Sequence, residues 1–255
     1  MQKKVRKGDA MGALELTDLY LQRVEVDGDI PGNSYVSRLP VVRSMVESGG
    51  LDLSRPVTIF IGENGVGKST LVEAIAIRMG FNPEGGTVNF NFATRESHSP
   101  LHDYLRVIKG CRWRKDGFFL RAESFYNVAS NIDDLGVVGN YGQVSLHAQS
   151  HGESFMALVE NRFWGKGLYI LDEPEAALSP MRVMTLMRHM GRLVDDESQF
   201  IVSTHSPMIM AFPGADVIQI DEEGLSHVDY RDTGHYQVMR RFLEDPERML
   251  GYLFE

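Results

Sequence analysis

The run "GENGVGKST" (residues 62–70) places a glycine, four residues, a glycine, a lysine and a serine in the order G-x-x-x-x-G-K-S. Such spacing suits the binding of a phosphate chain. Glycines let successive backbone N–H groups turn inward around an anion. A following helix adds its free N–H groups and the positive end of its dipole. Lys68 supplies a mobile point charge for β- and γ-phosphates, and the Ser69 hydroxyl can ligate Mg²⁺. The run Gly62, Glu63, Asn64, Gly65, Val66, Gly67, Lys68, Ser69 and Thr70 is therefore the expected phosphate-contacting segment. The plain alternative is a chance glycine-rich turn. It fits poorly, because "VTIFIG" before the segment reads as a buried strand and "KSTLVEAIAIRMG" after it has helical spacing.

Two more apolar runs end in reactive side chains. "GLYILDEP" delivers Asp172 and Glu173 to a strand's C-terminal edge, where α/β sheets bind ligands. Asp172 is placed to hold Mg²⁺, and Glu173 to polarise a water for attack on a γ-phosphate. An acidic turn before Pro174 is the bland alternative. "QFIVSTHSP" ends in His205, which can donate to a γ-phosphate oxygen or orient the water. These roles require its strand to lie beside the strand that leads into the phosphate loop.

The elements that must position these residues can be read from patterning. "LYLQRVEV" alternates as a strand, and "YVSRLPVV" reads as a second, edge-like strand because of Pro40. "PLHDYLRVIKG" reads as a short helix. "CRWRKDGFFLRAESF" reads as a hairpin turning at Lys115-Asp116-Gly117. Residues 127–149 carry no clear pattern. "ESFMALVENRFW" and "SPMRVMTLMRHMGRLVDD" are helical, "ADVIQIDEEGLSHVDY" is a hairpin, and the end of the chain is helical. Strands alternate with helices, which predicts an α/β fold with a mainly parallel sheet and antiparallel additions.

Composition narrows the function classes. The 255 residues include 35 acidic and 26 basic side chains, a net charge of -9, which speaks against a uniformly basic nucleic-acid footprint. The single cysteine, Cys111, cannot form an internal disulfide and suits a reducing, cytoplasmic setting. No leader-like apolar run follows the basic N-terminus, and no stretch of about 18 apolar residues suggests a membrane span. The stretch "IKGCRWRKDGFFLR" (residues 108–121) mixes basic and aromatic residues and is a weak candidate for nucleic acid. A hairpin with one wet face explains it more simply.

Together, "GENGVGKST", "LYILDEPE" and "STHSP" resemble the Walker A, Walker B and switch-histidine motifs of the ATP-binding cassette (ABC) superfamily. The likeness is to its soluble branch, with SMC-type and other DNA-maintenance or defence ATPases. It covers about residues 15–225. The resemblance implies a P-loop NTPase of ABC type: a mainly parallel central sheet, an antiparallel β subdomain and a helical lobe. It implies one ATPase domain over residues 1–255, with residues 1–13 as a flexible arm and about 81–150 as an inserted lobe. It further implies ATP and Mg²⁺ as cofactors and an ATP-dependent homodimer that acts on a protein effector, without membrane insertion. "SHGES" (residues 150–154) resembles the family's signature loop, in which Ser150 and Gly152 would reach the γ-phosphate held by a second copy. An ordinary helix cap, Ser150 with Glu153 as a capping box, is compatible with that role. A transporter's nucleotide-binding subunit and a weakly hydrolysing dimerisation module are the competing implications.

The chain departs from the family pattern in three places. No glutamine occurs between Thr70 and Gly142, where the family has a glutamine-bearing loop. "NFNFATRESHSP" is the expected location of that loop, with Asn91, Ser97 or His98 as substitutes. Ser179 stands where the D-loop usually has aspartate. No residue clearly matches the adenine-stacking aromatic; Tyr20 and Tyr35 are candidates, or else plain strand residues.

Overall fold

The computed structural model describes residues 19–87, 98–134 and 146–254. Three strands are buried at every position: Val57–Ile61 (β3), Gly167–Asp172 (β6) and Gln199–Ser203 (β7). Such strands need cover on both faces. With Asp116–Arg121 (β5), Asp216–Asp221 (β8) and Gly224–His227 (β9) they form, among the described residues, a sheet of order β5-β6-β7-β3-β8-β9. Every pairing in it is parallel except the β8–β9 hairpin. The two-residue strand period sorts the side chains. Val57, Ile59, Ile61, Tyr169, Leu171 and Val202 enter one core, and Phe60, Leu168, Ile170 and Ile201 enter the other.

The first core is capped by the helices Phe125–Asp134 (α3), His151–Arg162 (α4) and Pro180–Asp195 (α5). The second is covered by Pro40–Ser48 (α1), Lys68–Arg78 (α2) and a small antiparallel sheet. That sheet joins Leu51–Asp52 (β2), Leu21–Val26 (β1) and Leu105–Lys109 (β4) in the order β2-β1-β4. The last helices are Pro207–Met210 (α6), Gly234–Glu244 (α7) and Pro246–Phe254 (α8). The mixed α/β class, the parallel sheet and the antiparallel addition are as the sequence predicts.

Three local expectations fail. "YVSRLPVV" is not a strand: a 3₁₀ turn over Tyr35–Arg38 leads into α1, with Pro40 at its first position. Proline suits that position because its missing N–H has no helical partner to lose. "PLHDYLRVIKG" is a 3₁₀ turn, Pro100–Tyr104, followed by β4. "CRWRKDGFFLRAESF" is not a hairpin. Asp116 is buried, and its carboxylate accepts from Arg162 Nη1 at 2.6 Å, Tyr169 Oη at 2.7 Å and Trp164 N at 3.0 Å. These bonds tie the start of β5 to β6 and α4. The poorly patterned residues 127–149 include most of α3; of the rest, 135–145 lie outside the described residues, as does the expected arm 1–13.

Candidate functional site

β3 ends in a loop that turns sharply into α2. Gly62 has φ +145°, and a Cβ there would lie 2.1 Å from the Ile220 carbonyl oxygen of β8. Gly67 caps α2 at φ +101°, and a Cβ would lie 2.9 Å from Val41 of α1. Neither position accepts a side chain. Glu63, Asn64 and Gly65 are exposed at the loop's crest, while Val66 and Lys68 are buried. Lys68 Nζ donates to the carbonyls of Gly62 (2.8 Å) and Glu63 (2.9 Å), so the amine lies across the loop it serves. Burial holds the Lys68 pKa below its ordinary value, with Glu173 and Asp172 pulling the other way. Ser69 and Thr70 follow, half-buried, in the first turn of α2.

Strand register sets the second group. Arg121 of β5 pairs with Asp172 of β6, Asp172 with Ser203 of β7, and Ser203 with Phe60 of β3, a single row at the sheet's C-terminal edge. Ser69 Oγ donates to Asp172 Oδ1 at 3.0 Å. Arg121 Nε lies 3.2 Å from Asp172 Oδ2, and Arg121 Nη1 donates to Glu73 of α2 at 2.5 Å. Burial raises the Asp172 carboxyl pKa, against Arg121 and Ser69. Burial also opposes the Arg121 charge, but Asp172 and Glu73 outweigh it and hold the guanidinium more firmly protonated. A hydroxyl and a carboxylate bonded to each other form a hard oxygen pair that fits Mg²⁺. That ion ordinarily takes one or two protein oxygens and completes its shell with phosphate and water. No cluster of three or more acidic, His or Cys ligands occurs among the described residues.

Glu173 follows Asp172 in the left-handed region, at φ 50° and ψ 51°. A residue with a Cβ is rarely held there without surrounding constraint. Its N–H donates to Ser203 O at 2.9 Å, which turns the chain out of the sheet. Across the cleft, His205 Nε2 lies 3.6 Å from Glu173 Oε1 and has no hydrogen-bond partner among the described residues. Burial lowers the His205 pKa, and Lys68 adds to the effect. Glu175 fixes the histidine loop: its Oε1 accepts from His205 N (2.6 Å), Thr204 Oγ1 (2.7 Å) and Ser206 N (3.1 Å).

The expected phosphate loop, Asp172, Glu173 and His205 thus converge, and β7 pairs with β3 as the histidine's expected role requires. A cleft of about 250 Å³ opens beside them, lined by Ser69, Arg121, Glu123, His151, Asp172 and Glu173 among others. Sequence reasoning passed over three residues here. Arg121 and Glu123 were hidden in the supposed hairpin, and Glu175 among the acidic residues after Pro174. A β-strand preceding β6 and ending in charged residues was the signal for the first two. Residues 121–123 line the cleft, whereas the His98 and His102 rings lie 5.2 Å apart, tilted by 56°; Asn91 and Ser97 lie outside the described residues.

The "SHGES" segment starts α4. Ser150 is the N-cap, and Glu153 accepts from the Ser150 N–H at 3.1 Å, the returning half of a capping box. Ser150 is exposed. A Cβ on Gly152 would lie 2.8 Å from Arg182 Nη1 and 3.0 Å from the Ala177 carbonyl oxygen. Gly152 therefore lets α4 lie against residues 177–182. His151, rather than Ser150 or Gly152, lines the cleft of its own chain.

The adenine-stacking candidates separate: Tyr20 is buried with its hydroxyl on Glu197 O at 3.0 Å, and Tyr35 is exposed. The basic–aromatic stretch is dispersed as well. Phe118 and Phe119 are core residues, Arg114 lies over Phe81, Arg112 pairs with Glu197, and Trp113 stands exposed. No helix among the described residues is long and apolar enough to cross a membrane.

Two family models match parts of the chain. An AAA-domain model covers residues 42–102. A second AAA-domain model, whose description names the AbiEii toxin and a type IV toxin–antitoxin system, covers residues 148–211. A search of curated proteins found no match. Among solved structures, cbiO1 from Clostridium perfringens, part of the ABC transporter complex cbiONQ, matches at 16% identity and TM-score 0.48, over 92% of this chain and 98% of that one. The SMC head domain from Thermotoga maritima matches at 16% identity and TM-score 0.44, over 83% and 99%. Over these two stretches the chain is similar to AAA-domain proteins.

Proposed function

We propose that this chain is a cytoplasmic ATPase, one domain over residues 1–255, that forms a homodimer around ATP and Mg²⁺. In this reading the dimer switches a protein partner in DNA maintenance or defence. The observation that carries it is the convergence of Lys68, Ser69, Asp172, Glu173 and His205 at one sheet edge. The N–H groups of residues 62–70 and the Lys68 ammonium hold the phosphates. Ser69 and Asp172 would hold Mg²⁺, which when bound neutralises charge on the β- and γ-phosphates. Glu173 takes a proton from water as its oxygen bonds to the γ-phosphorus and the bond to ADP breaks. His205 donates from Nε2 to a γ-phosphate oxygen. Ser150 and Gly152 of a second copy close the site, each patch being used twice around a two-fold axis.

One observation favours a slow variant of this reading. Arg121 lies 3.2 Å from Asp172, the carboxylate assigned to Mg²⁺, so its charge competes for the same oxygens. A dimerisation module with low turnover would look the same.

Two dead variants test the composite site. Ser150→Arg puts a bulky cation where a hydroxyl is needed, and Lys68→Ala removes the loop's cation. Each alone should lack ATPase activity. Their mixture should regain part of it, because one site of the heterodimer keeps an intact loop from each copy. If Ser150→Arg alone dimerises and hydrolyses ATP normally, "SHGES" is only a helix cap.

A further inference from the structure

α7 approaches the site through one side chain. His235, in its first turn, places Nε2 3.1 Å from Nδ1 of His205, with the rings 5.2 Å apart and inclined at 54°. The helix is anchored just ahead of it. Thr233 is buried, its Oγ1 donates to Tyr230 O at 2.7 Å, and it accepts from Tyr236 N at 3.3 Å. His235 is therefore held from the α7 side while His205 is held through its backbone by Glu175. Two ring nitrogens at this distance share one proton, so one must donate and the other accept.

The opposite edge of His205 decides which. Its Nε2 faces the Glu173 carboxylate at 3.6 Å and has no hydrogen-bond partner among the described residues. A lone pair aimed at a carboxylate is repelled, whereas an N–H is attracted. Nε2 therefore carries the proton, Nδ1 is bare, and His235 Nε2–H is the donor between the rings. We infer that His235 is a positioning residue for His205: its N–H on Nδ1 fixes both the ring orientation and the tautomer that points a proton donor into the nucleotide cleft. The inference rests on the proposed role of His205. Function of a ring nitrogen is commonly set by the hydrogen bond made by the other. It also means that α7 holds one half of the contact, so a displacement of that helix withdraws the donor from the site.

The test has two arms on the full chain. In the first, ¹⁵N-labelled histidine in the ATP-free protein reports the protonation of each ring nitrogen, with His205 assigned by its loss in His205→Gln. The parent should show His205 protonated at Nε2 and accepting at Nδ1, and His235→Ala should show mixed tautomers. A parent signal protonated at Nδ1, or an unchanged spectrum in His235→Ala, overturns the inference. In the second arm, His235→Ala should lower kcat for ATP by about 10- to 100-fold, the usual scale for losing a partner that orients a functional imidazole. KM should stay within about twofold, the sign of an interaction used after binding. His235→Gln, whose amide N–H can reach the same point, should recover most of the loss. A glutamine variant as slow as alanine, or an effect confined to KM, also overturns it. If the parent hydrolyses no ATP, the proposed function fails and the ¹⁵N arm still decides this point.

Discussion

Replacing Glu173 in turn by glutamine, alanine and glycine separates the backbone strain at this residue from its proposed role as proton acceptor. Its backbone lies at φ 50° and ψ 51°. That conformation costs a residue with a Cβ roughly 1–2 kcal/mol. Glycine removes the strain, offset by about 0.4–1 kcal/mol of extra freedom in the unfolded chain. Little else is lost with the side chain, which is 41% exposed and 3.6 Å from the ring of His205. Its charge also opposes ionisation of Asp172, a repulsion that all three variants relieve. Glycine should therefore exceed alanine in stability at this position by about 0.5–1 kcal/mol, the reverse of their usual order. In a domain of this size that is a Tm difference of roughly 1–4 °C. Turnover should fall by about 10²–10⁴ in all three, since none can accept the proton. The glutamine variant, which keeps the shape, should accumulate as an ATP-bound dimer. Urea midpoints and phosphate release measure the two effects separately. Parent-like turnover in the glutamine variant places the proton acceptor elsewhere, and a glycine variant less stable than alanine refutes the strain argument.

Lys68→Ala should lose ATP affinity in calorimetry while its circular dichroism matches the parent, because the backbone cradle survives. Arg121→Met leaves Glu73 and Asp172, with side chains 7% and 4% exposed, without their shared cation; urea unfolding should show a loss of about 3–5 kcal/mol. Burial lowers the His189 pKa, with Arg192 adding to it, so the unfolded chain binds that proton before the native one does. Stability should then fall as the pH drops below about 6.5, and His189→Gln should flatten part of that slope in urea midpoints taken on either side of it.

Strands buried on both faces were legible because each carries its own evidence: an unbroken apolar run ending in a residue that apolar strands do not need. That is how Lys68, Asp172 and His205 could be found without coordinates. β5 was not legible in this way. Asp116-Gly117 has the composition of a turn, and only Arg162, Tyr169 and Trp164, more than 40 residues away in sequence, make Asp116 a buried acceptor instead. With β5 misread, Arg121 passed for a charge on a wet face. In α1, Pro40 suggested an edge strand, and the better reading was proline at a helix's first position. Glu175 escaped because its role is to bind the backbone of a loop some 30 residues on, a contact that no local pattern encodes.

The place of β3 in the sheet sets a schedule for synthesis. It lies between β7 and β8, pairing Val57 with Phe200 and Thr58 with Asp216. Both neighbours are translated some 140–160 residues after it. At about 5–20 residues per second, a ribosome needs roughly 7–30 s to cover that distance. Throughout that interval the run "VTIFI" has no permanent strand on either side. It is apolar, β-prone, uncharged and free of proline, the composition from which cross-β contacts between chains are made. The segments already translated, β1, β2, α1 and α2, can shield only the face they later cover. The strand that leads into residues 62–70 is thus a liability of the nascent chain, and crowded polysomes or slow codons between residues 62 and 199 would lengthen that exposure.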